Sequence, residues 1–379
     1  MHTIDALYES ELKLDGLEMF LIHVSVKREF SFGVWNSRQH IFLKVRSGSQ
    51  VGYGEEIISL NDPDVSLADW GGKLKQLEHL PLGAMWGQMQ GWPHRLREMT
   101  EMALIDLYGK VNGASALSIL GLQRREAVPG LYCILEQNPA SVYEKAKKAA
   151  EQGMQSHIKV KLFGSIETDI PVITAAKDAV PHAFLVGDVN MGYRKAYEQG
   201  SVADVAETLQ YLHRAGLDAC EDPAEMDRSQ WIDLQKQVQP LQLIPDAPMR
   251  PAAASLRTVV PEMGGIFNIH PGSMGSLLDA VQLIRKIQSF NGGIMIGDNS
   301  LIGPACTVWQ QIAIGSGALF VEALEKKEEM PQYLDMVRRS ATAMDEHGRT
   351  HLAAELPGFG LELDEKQLKQ HCKAHETLF

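Results

Sequence analysis

After Val128 the chain settles into a rhythm that few architectures accommodate. Short apolar runs alternate with amphipathic segments of 10 to 17 residues. The runs are Leu131–Leu135, Ile158–Phe163, Phe184–Val189, Leu217–Cys220, Leu241–Ile244, Ile266–Ile269, Ile294–Ile296 and Ala318–Val321. The segments between them, such as Ser141 to Glu151 and Leu277 to Gln288, carry helical periodicity. Eight strands, each followed by a helix, describe a closed parallel α/β barrel of the TIM type. The runs are too short and too evenly spaced for membrane spans or a coiled coil.

The first 60 residues have a different texture. Phe20–Val26 and His40–Val45 have strand composition with partial alternation, and Ser47-Gly48-Ser49 supplies a turn before Val51. These predict an antiparallel meander. The stretch Lys27 to Gln39 between the strands reads as a loop carrying Phe30, Phe32 and Trp35. From about His94 to Leu120 the spacing of Leu96, Met99, Ala103 and Leu107 predicts a helix, punctuated by Gly109 and Gly113. At 379 residues, the chain has room for one large barrel and an attached smaller unit.

In a parallel barrel, chemistry gathers at the C-terminal ends of the strands. The polar residues closing successive runs are Lys159 and Lys161, Asp188, Glu221, Asp246, His270, Asp298 and Glu322. From Lys161 onward the intervals are 27, 33, 25, 24, 28 and 24 residues, each about one strand–helix unit. Seven consecutive strands thus deliver an ionisable group to one rim. Asp188, Glu221 and Asp246 are three carboxylates on consecutive strands, which would repel unless a cation sat among them. All-oxygen donors favour a hard ion, Mg²⁺ first and Mn²⁺ as a substitute. One such Asp would be read as a cap for the next helix; three in succession are read as metal ligands.

Lys159-Val160-Lys161 places two ammonium groups on the same face of a strand, because side chains alternate. Crowding is expected to depress their pKa values, leaving one lysine neutral and able to act as a base. His270 closes the sixth strand, roughly across the barrel, where it could exchange a proton near neutral pH. Asp298, one strand further on, is a candidate orienting partner for that imidazole.

These residues together resemble the enolase superfamily, in its mandelate racemase and muconate-lactonizing-enzyme branch. The resemblance rests on Lys159-Val160-Lys161, Asp188-Val189-Asn190, Glu221-Asp222-Pro223, Pro245-Asp246, Met102 to Lys110 and Val51-Gly52-Tyr53-Gly54-Glu55, an ordered set spanning nearly the whole chain. It implies a modified (β/α)7β barrel over residues 124–340. It also implies an N-terminal α+β capping domain over residues 1–123, and a tail over 341–379 that returns to that domain. It further implies a shared half-reaction, in which a base removes the proton α to a carboxylate and Mg²⁺ stabilises the enediolate. Lys161 would be the base and Lys159 its tuning neighbour. Phe32 and Trp35 would shape the pocket from the capping loop, with Asn190 and Glu322 binding substrate. Two departures stand out. Muconate-lactonizing and dipeptide-epimerase relatives carry lysine where this chain has His270. Mandelate racemase relatives carry Asp on the sixth strand and His on the seventh, the reverse of His270 and Asp298.

Two bases facing one substrate suggest an isomerase, a racemase, epimerase or cycloisomerase acting on a small carboxylate. A lyase dehydrating an acid sugar by the same half-reaction, and a catalytically silent carboxylate-binding relative, are the alternatives. A net charge of −12 argues against a nucleic-acid partner. No stretch approaches a membrane span, and Asp5 and Glu9 stand where a signal peptide would carry basic residues. Four cysteines without CxxC pairing fit free thiols in a reducing compartment. The expectation is a cytoplasmic enzyme that forms a homo-oligomer.

Overall fold

A computed structural model describes residues 4–30, 33–62, 64–193, 202–325 and 329–379. The N-terminal strands form a four-stranded antiparallel sheet in the order Ala374–Thr377, Gly16–Val24, Arg38–Ser47, Gln50–Leu60. The outer strand comes from the C-terminus, paired in the register Glu18↔Thr377 to Leu21↔Ala374. The last strand of the chain thus forms the edge of this sheet. The stretch expected as a loop is instead a small hairpin, Arg28–Phe30 against Gly33–Trp35. Three-residue strands offer too little alternation to be read from sequence.

The helix His94–Asn112 packs across this sheet, and Gly113 ends it with φ +64°. Gly52 and Gly54 allow the close approach. A Cβ on Gly52 would meet the Ala103 carbonyl oxygen at 2.1 Å, and one on Gly54 the Met99 carbonyl oxygen at 2.3 Å.

The barrel strands are Tyr132–Ile134, His157–Lys161, Phe184–Asp188, Ala219–Glu221, Gln242–Ile244, Ile266–Ile269, Gly293–Ile296 and Phe320–Val321. The first five form one parallel sheet and the last three another. The sheets meet at both edges: Asn268 N donates to Pro245 O at 3.1 Å, and Leu131 N to Val321 O at 2.8 Å. The ring is closed. Its floor is a separate apolar cluster of Leu131, just before the first strand, with Val186, Ala219, Ile244, Ile266, Met295 and Phe320, one from each of six further strands. A helix follows each of the first seven strands, from Pro139–Glu151 to Pro304–Ser316. After the eighth, the described chain runs through the short helix Tyr333–Met336 and back toward the capping sheet. The architecture is the (β/α)7β barrel with an α+β cap. Among the described residues no helix is long and apolar enough to cross a membrane.

Buried carboxylates fasten the cap to the barrel. Glu55 accepts from the backbone N–H groups of Ile302, Gly303 and Ala305, at the start of the helix Pro304–Ser316. Glu101 does the same for Leu277 and Leu278, at the start of Leu277–Ser289. Helix N-termini expose N–H groups with no intrahelical partner, so an acid from the other domain both caps the helix and offsets its dipole. Asp106 accepts from Tyr53 N at 3.1 Å and Phe359 N at 2.7 Å, while Lys110 donates to Asp106, Val51 O and Leu361 O. The Met102–Lys110 motif thus ties sheet, helix and tail together.

Candidate active site

Where the strands end, beneath the cap, lies a cavity of about 1430 Å³. Lys159, Lys161, Asp188, Asn190, Glu221, Asp246, His270, Asp298 and Glu322 all line it, and Trp35 reaches it from the capping hairpin. Phe32 lies outside the described residues. The strand registers explain the convergence. Lys161 pairs with Asp188, Asp188 with Glu221, and Glu221 with Ile244, two residues before Asp246. Neighbouring strands in register deliver their terminal side chains to one level.

Lys159 Nζ lies 3.0 Å from Glu221 Oε2, 2.7 Å from Glu322 Oε2 and 3.4 Å from Asp188 Oδ2. Lys161 Nζ donates to Asp188 Oδ2 at 2.8 Å. Burial alone would lower the Lys159 pKa, but Glu221, Glu322 and Asp188 outweigh it and hold the amine well above its usual range. This corrects the expectation for Lys159: crowding by a second lysine is outweighed by three carboxylates. Burial would likewise raise Asp188, yet Lys161 and Lys159 hold it well below the usual carboxylate range. Glu322, expected to bind substrate, is an ion-pair partner of Lys159 here.

Two further contacts complete the acidic ring. Asn268 Nδ2 donates to Glu221 Oε1 at 2.7 Å. Arg250, four residues beyond Asp246, grips that carboxylate with two nitrogens, Nε to Oδ1 at 2.8 Å and Nη2 to Oδ2. Asp222, also on the cavity lining, accepts from Asp246 N at 3.0 Å and Ala247 N at 2.9 Å. Burial and the Glu221 charge push it up to about 7. Asp222 and Asn190 both adopt positive φ, 42° and 46°, a conformation costly for residues with a side chain and concentrated at functional loops. Neither Arg250 nor Asn268 was identified from the sequence. Arg250 lay within reach of an i,i+4 search from Asp246; Asn268 faces Glu221 only through barrel closure.

Among the described residues, no three acidic, histidine or cysteine side chains are drawn together closely enough to hold a metal ion between them. Each expected ligand is turned toward its own cation: Asp188 to Lys161, Glu221 to Lys159, Asp246 to Arg250. The donor chemistry nonetheless fits a hard divalent cation. The three carboxylates are 4%, 1% and 2% exposed, stand on adjacent strands, and include no sulfur or imidazole.

His270 Nδ1 lies 3.0 Å from Pro271 O. A carbonyl only accepts, so Nδ1 carries the hydrogen and Nε2 the lone pair. Burial, reinforced by Arg250 and Lys159, holds the imidazole pKa well below its usual value, so the ring is neutral. The expected pairing with Asp298 is replaced. Asp298 Oδ1 accepts from Leu301 N at 3.1 Å within its own turn, and its charge is felt by Arg38, His40 and Glu322.

Residues 141–367 match the family model described as enolase C-terminal domain-like. The chain belongs to the mandelate racemase/muconate lactonizing enzyme branch of the enolase superfamily. It is an enzyme of that kind. This superfamily member is 25% identical over 281 residues to an N-succinylamino acid racemase of Thermus thermophilus, an alignment covering 70% of this chain and 72% of that one. Among solved structures it resembles a dipeptide epimerase from Cytophaga hutchinsonii, complexed with Mg and D-Ala-L-Val, at TM-score 0.80 and 17% identity. That match covers 97% of this chain and 100% of the other. An N-succinyl Arg/Lys racemase from Bacillus cereus matches at TM-score 0.80 and 18% identity with the same coverage.

Proposed function

We propose that this superfamily member is a Mg²⁺-dependent racemase or epimerase acting on a small carboxylate. The observation that carries the reading is the pair Lys161 and His270. They sit on the second and sixth strands of an eight-strand ring, four places apart in either direction, and line one cavity. Inverting a stereocentre requires a proton to leave one face and another to arrive at the opposite face, and two such groups supply this.

Asp188, Glu221 and Asp246 would hold the metal, with Mn²⁺ as a substitute. Bound there, the cation supplies positive charge against the negative charge that builds on the substrate carboxylate. The chain's own residues do the rest. His270, neutral and with its lone pair on Nε2, is competent to accept a proton from the carbon on its side. Lys161 Nζ serves the other face, receiving or delivering a proton according to the enantiomer bound. Lys159 stays charged among its carboxylates and acts as a fixed cation. Trp35 and the capping hairpin cover the mouth and exclude water.

The relatives act on N-succinylated amino acids and dipeptides, which makes both the first substrates to try. The full-length chain is incubated in D₂O with Mg²⁺ and each enantiomer, and loss of the α-hydrogen is followed by NMR. Exchange is expected from both enantiomers, with Lys161→Ala abolishing it from one and His270→Asn from the other. Formation of a 2-keto acid from an acid sugar would replace this reading with dehydration. Metal-dependent binding of a carboxylate without exchange would replace it with a silent relative. A cytoplasmic homo-oligomer belongs to the same reading, and light scattering of the purified chain checks the assembly.

A further inference from the structure

Behind the loop that carries His270, in the capping domain, stands a buried carboxylate. Glu98, on the helix His94–Asn112, is completely buried and grips the loop after the sixth barrel strand. Its Oε1 accepts from Gly272 N at 2.6 Å, and its Oε2 from Met274 N at 3.1 Å and Gly275 N at 3.2 Å. The Gly272 N–H belongs to the same peptide group as the Pro271 carbonyl, and that carbonyl accepts from His270 Nδ1. One peptide plane therefore joins a buried carboxylate to the imidazole: acid to N–H, C=O to Nδ1–H. A negative charge on the N–H side polarises the peptide and makes its oxygen a stronger acceptor. The result is to fix the Nδ1–H tautomer and present the Nε2 lone pair.

Glu56, on the strand Gln50–Leu60, is equally buried and faces the same glycine. Gly272 has φ +73°, and a Cβ there would come within 2.5 Å of Glu56 Oε2. Glu56 Oε1 accepts from Ile57 N at 2.8 Å and Asn299 Nδ2 at 3.3 Å, whereas Oε2 is buried with no hydrogen-bond partner. Two adjacent buried carboxyls cannot both be ionised cheaply. Burial and the neighbouring Glu56 raise the Glu98 carboxyl well above its usual value even against its amide donors, and burial raises Glu56 to about 7, so the pair shares a proton. Geometry places it on Glu56, because three amide N–H groups face Glu98 while Glu56 Oε2 has no partner. The charged groups around the pair are Arg95 and Glu101 on the helix and Glu55 on the strand, and His94 packs against Gly275.

We propose that Glu98 is the positioning residue of His270, acting through the Pro271–Gly272 peptide, with Glu56 as the protonated neighbour that keeps the pair singly charged. The proposal rests on the reading of His270 as the second base. It is tested on the full-length chain with ¹³C,¹⁵N-labelled histidine, the His270 signal being assigned by its absence in His270→Asn. In the wild-type chain the ring is the Nδ1–H tautomer, and its signal steps as the acid pair titrates. Glu98→Gln is expected to mix the tautomers. With the enantiomers of an N-succinyl amino acid in D₂O, it should also slow exchange on the His270 face by roughly a hundredfold while sparing the Lys161 face. Glu56→Gln, neutral like the acid it replaces, is expected to keep the tautomer and both exchanges but to erase the pH step. A merely structural role for Glu98 would slow both faces together. Unchanged ring-nitrogen shifts in Glu98→Gln, or an unchanged ratio between the faces, would overturn the proposal. Were the wild-type chain to exchange neither face, the two-base reading would fall, and the nitrogen shifts would still decide the role of Glu98.

Discussion

Arg250 holds Asp246 through two N–H groups, so removing the guanidinium leaves a buried carboxylate without its nearest cation. Breaking such a pair from one side is costly, on the order of 3 kcal/mol, because the remaining charge stays desolvated. Arg250→Met should therefore destabilise the metal-free protein and, by the same physics, tighten its hold on a divalent cation by roughly tenfold. Thermal unfolding with EDTA and calorimetric titration with Mg²⁺ check the two halves. Weaker Mg²⁺ binding would mean that Arg250 instead supports Asp246 in its binding posture. Glu221 differs, because Lys159 would keep Asp188 and Glu322 as its anionic partners while Asn268 still donates to the amide oxygen. Glu221→Gln is expected to lower Mg²⁺ affinity by roughly a hundredfold with little change in unfolding temperature. At this scale the sequence revealed which residues carry charge at the rim, since spacing alone ordered Lys161, Asp188, Glu221 and Asp246. It did not reveal the charge state of Lys159, which depends on Glu322 and Glu221 arriving from distant strands.

Secondary-structure elements were most legible where periodicity was sustained. The strand Ile266–Ile269 and the helix starting at Leu277 fall where the pattern puts them. The hairpin of residues 28–35 did not show, because its pairing of Arg28 with Trp35 leaves no apolar alternation. Glycines carry a constraint of another kind. At Gly52 the strand and the helix His94–Asn112 touch backbone to backbone, so a methyl group must push the helix off the sheet. Gly52→Ala should cost about 3 kcal/mol, read as a lowered urea midpoint with an unchanged slope. Stability equal to that of the wild-type chain would mean that helix and sheet are not so closely packed.

The molecule as a whole is a barrel clamped to its cap by acids buried in the junction, and that junction should respond to pH. Burial raises the Glu56 carboxyl to about 7, against the opposing pull of Arg95. In the unfolded chain the same group titrates near about 4.3, so over the interval between these values the folded chain holds the extra proton. Its contribution to stability is full below that interval and is lost as pH rises through about 7. Glu56→Gln cannot ionise. Its unfolding free energy should fall less than that of the wild-type chain between about pH 4 and 8, by roughly 4 kcal/mol. Denaturant titrations at several pH values measure the difference, and parallel curves would show that Glu56 is ionised throughout.

What the sequence determined by itself was the barrel, the capping unit and the order of charged groups on the rim. Apolar periodicity dictates which strands and helices form, and one strand–helix unit per interval dictates which residues end together. What only the tertiary structure decided was the partner of each group: Arg250 for Asp246, Glu322 for Lys159, and Glu98 behind His270 where Asp298 had been expected. Protonation and hydrogen bonding are set by distance and burial, and those distances exist only once the barrel has closed and the cap has come down on it.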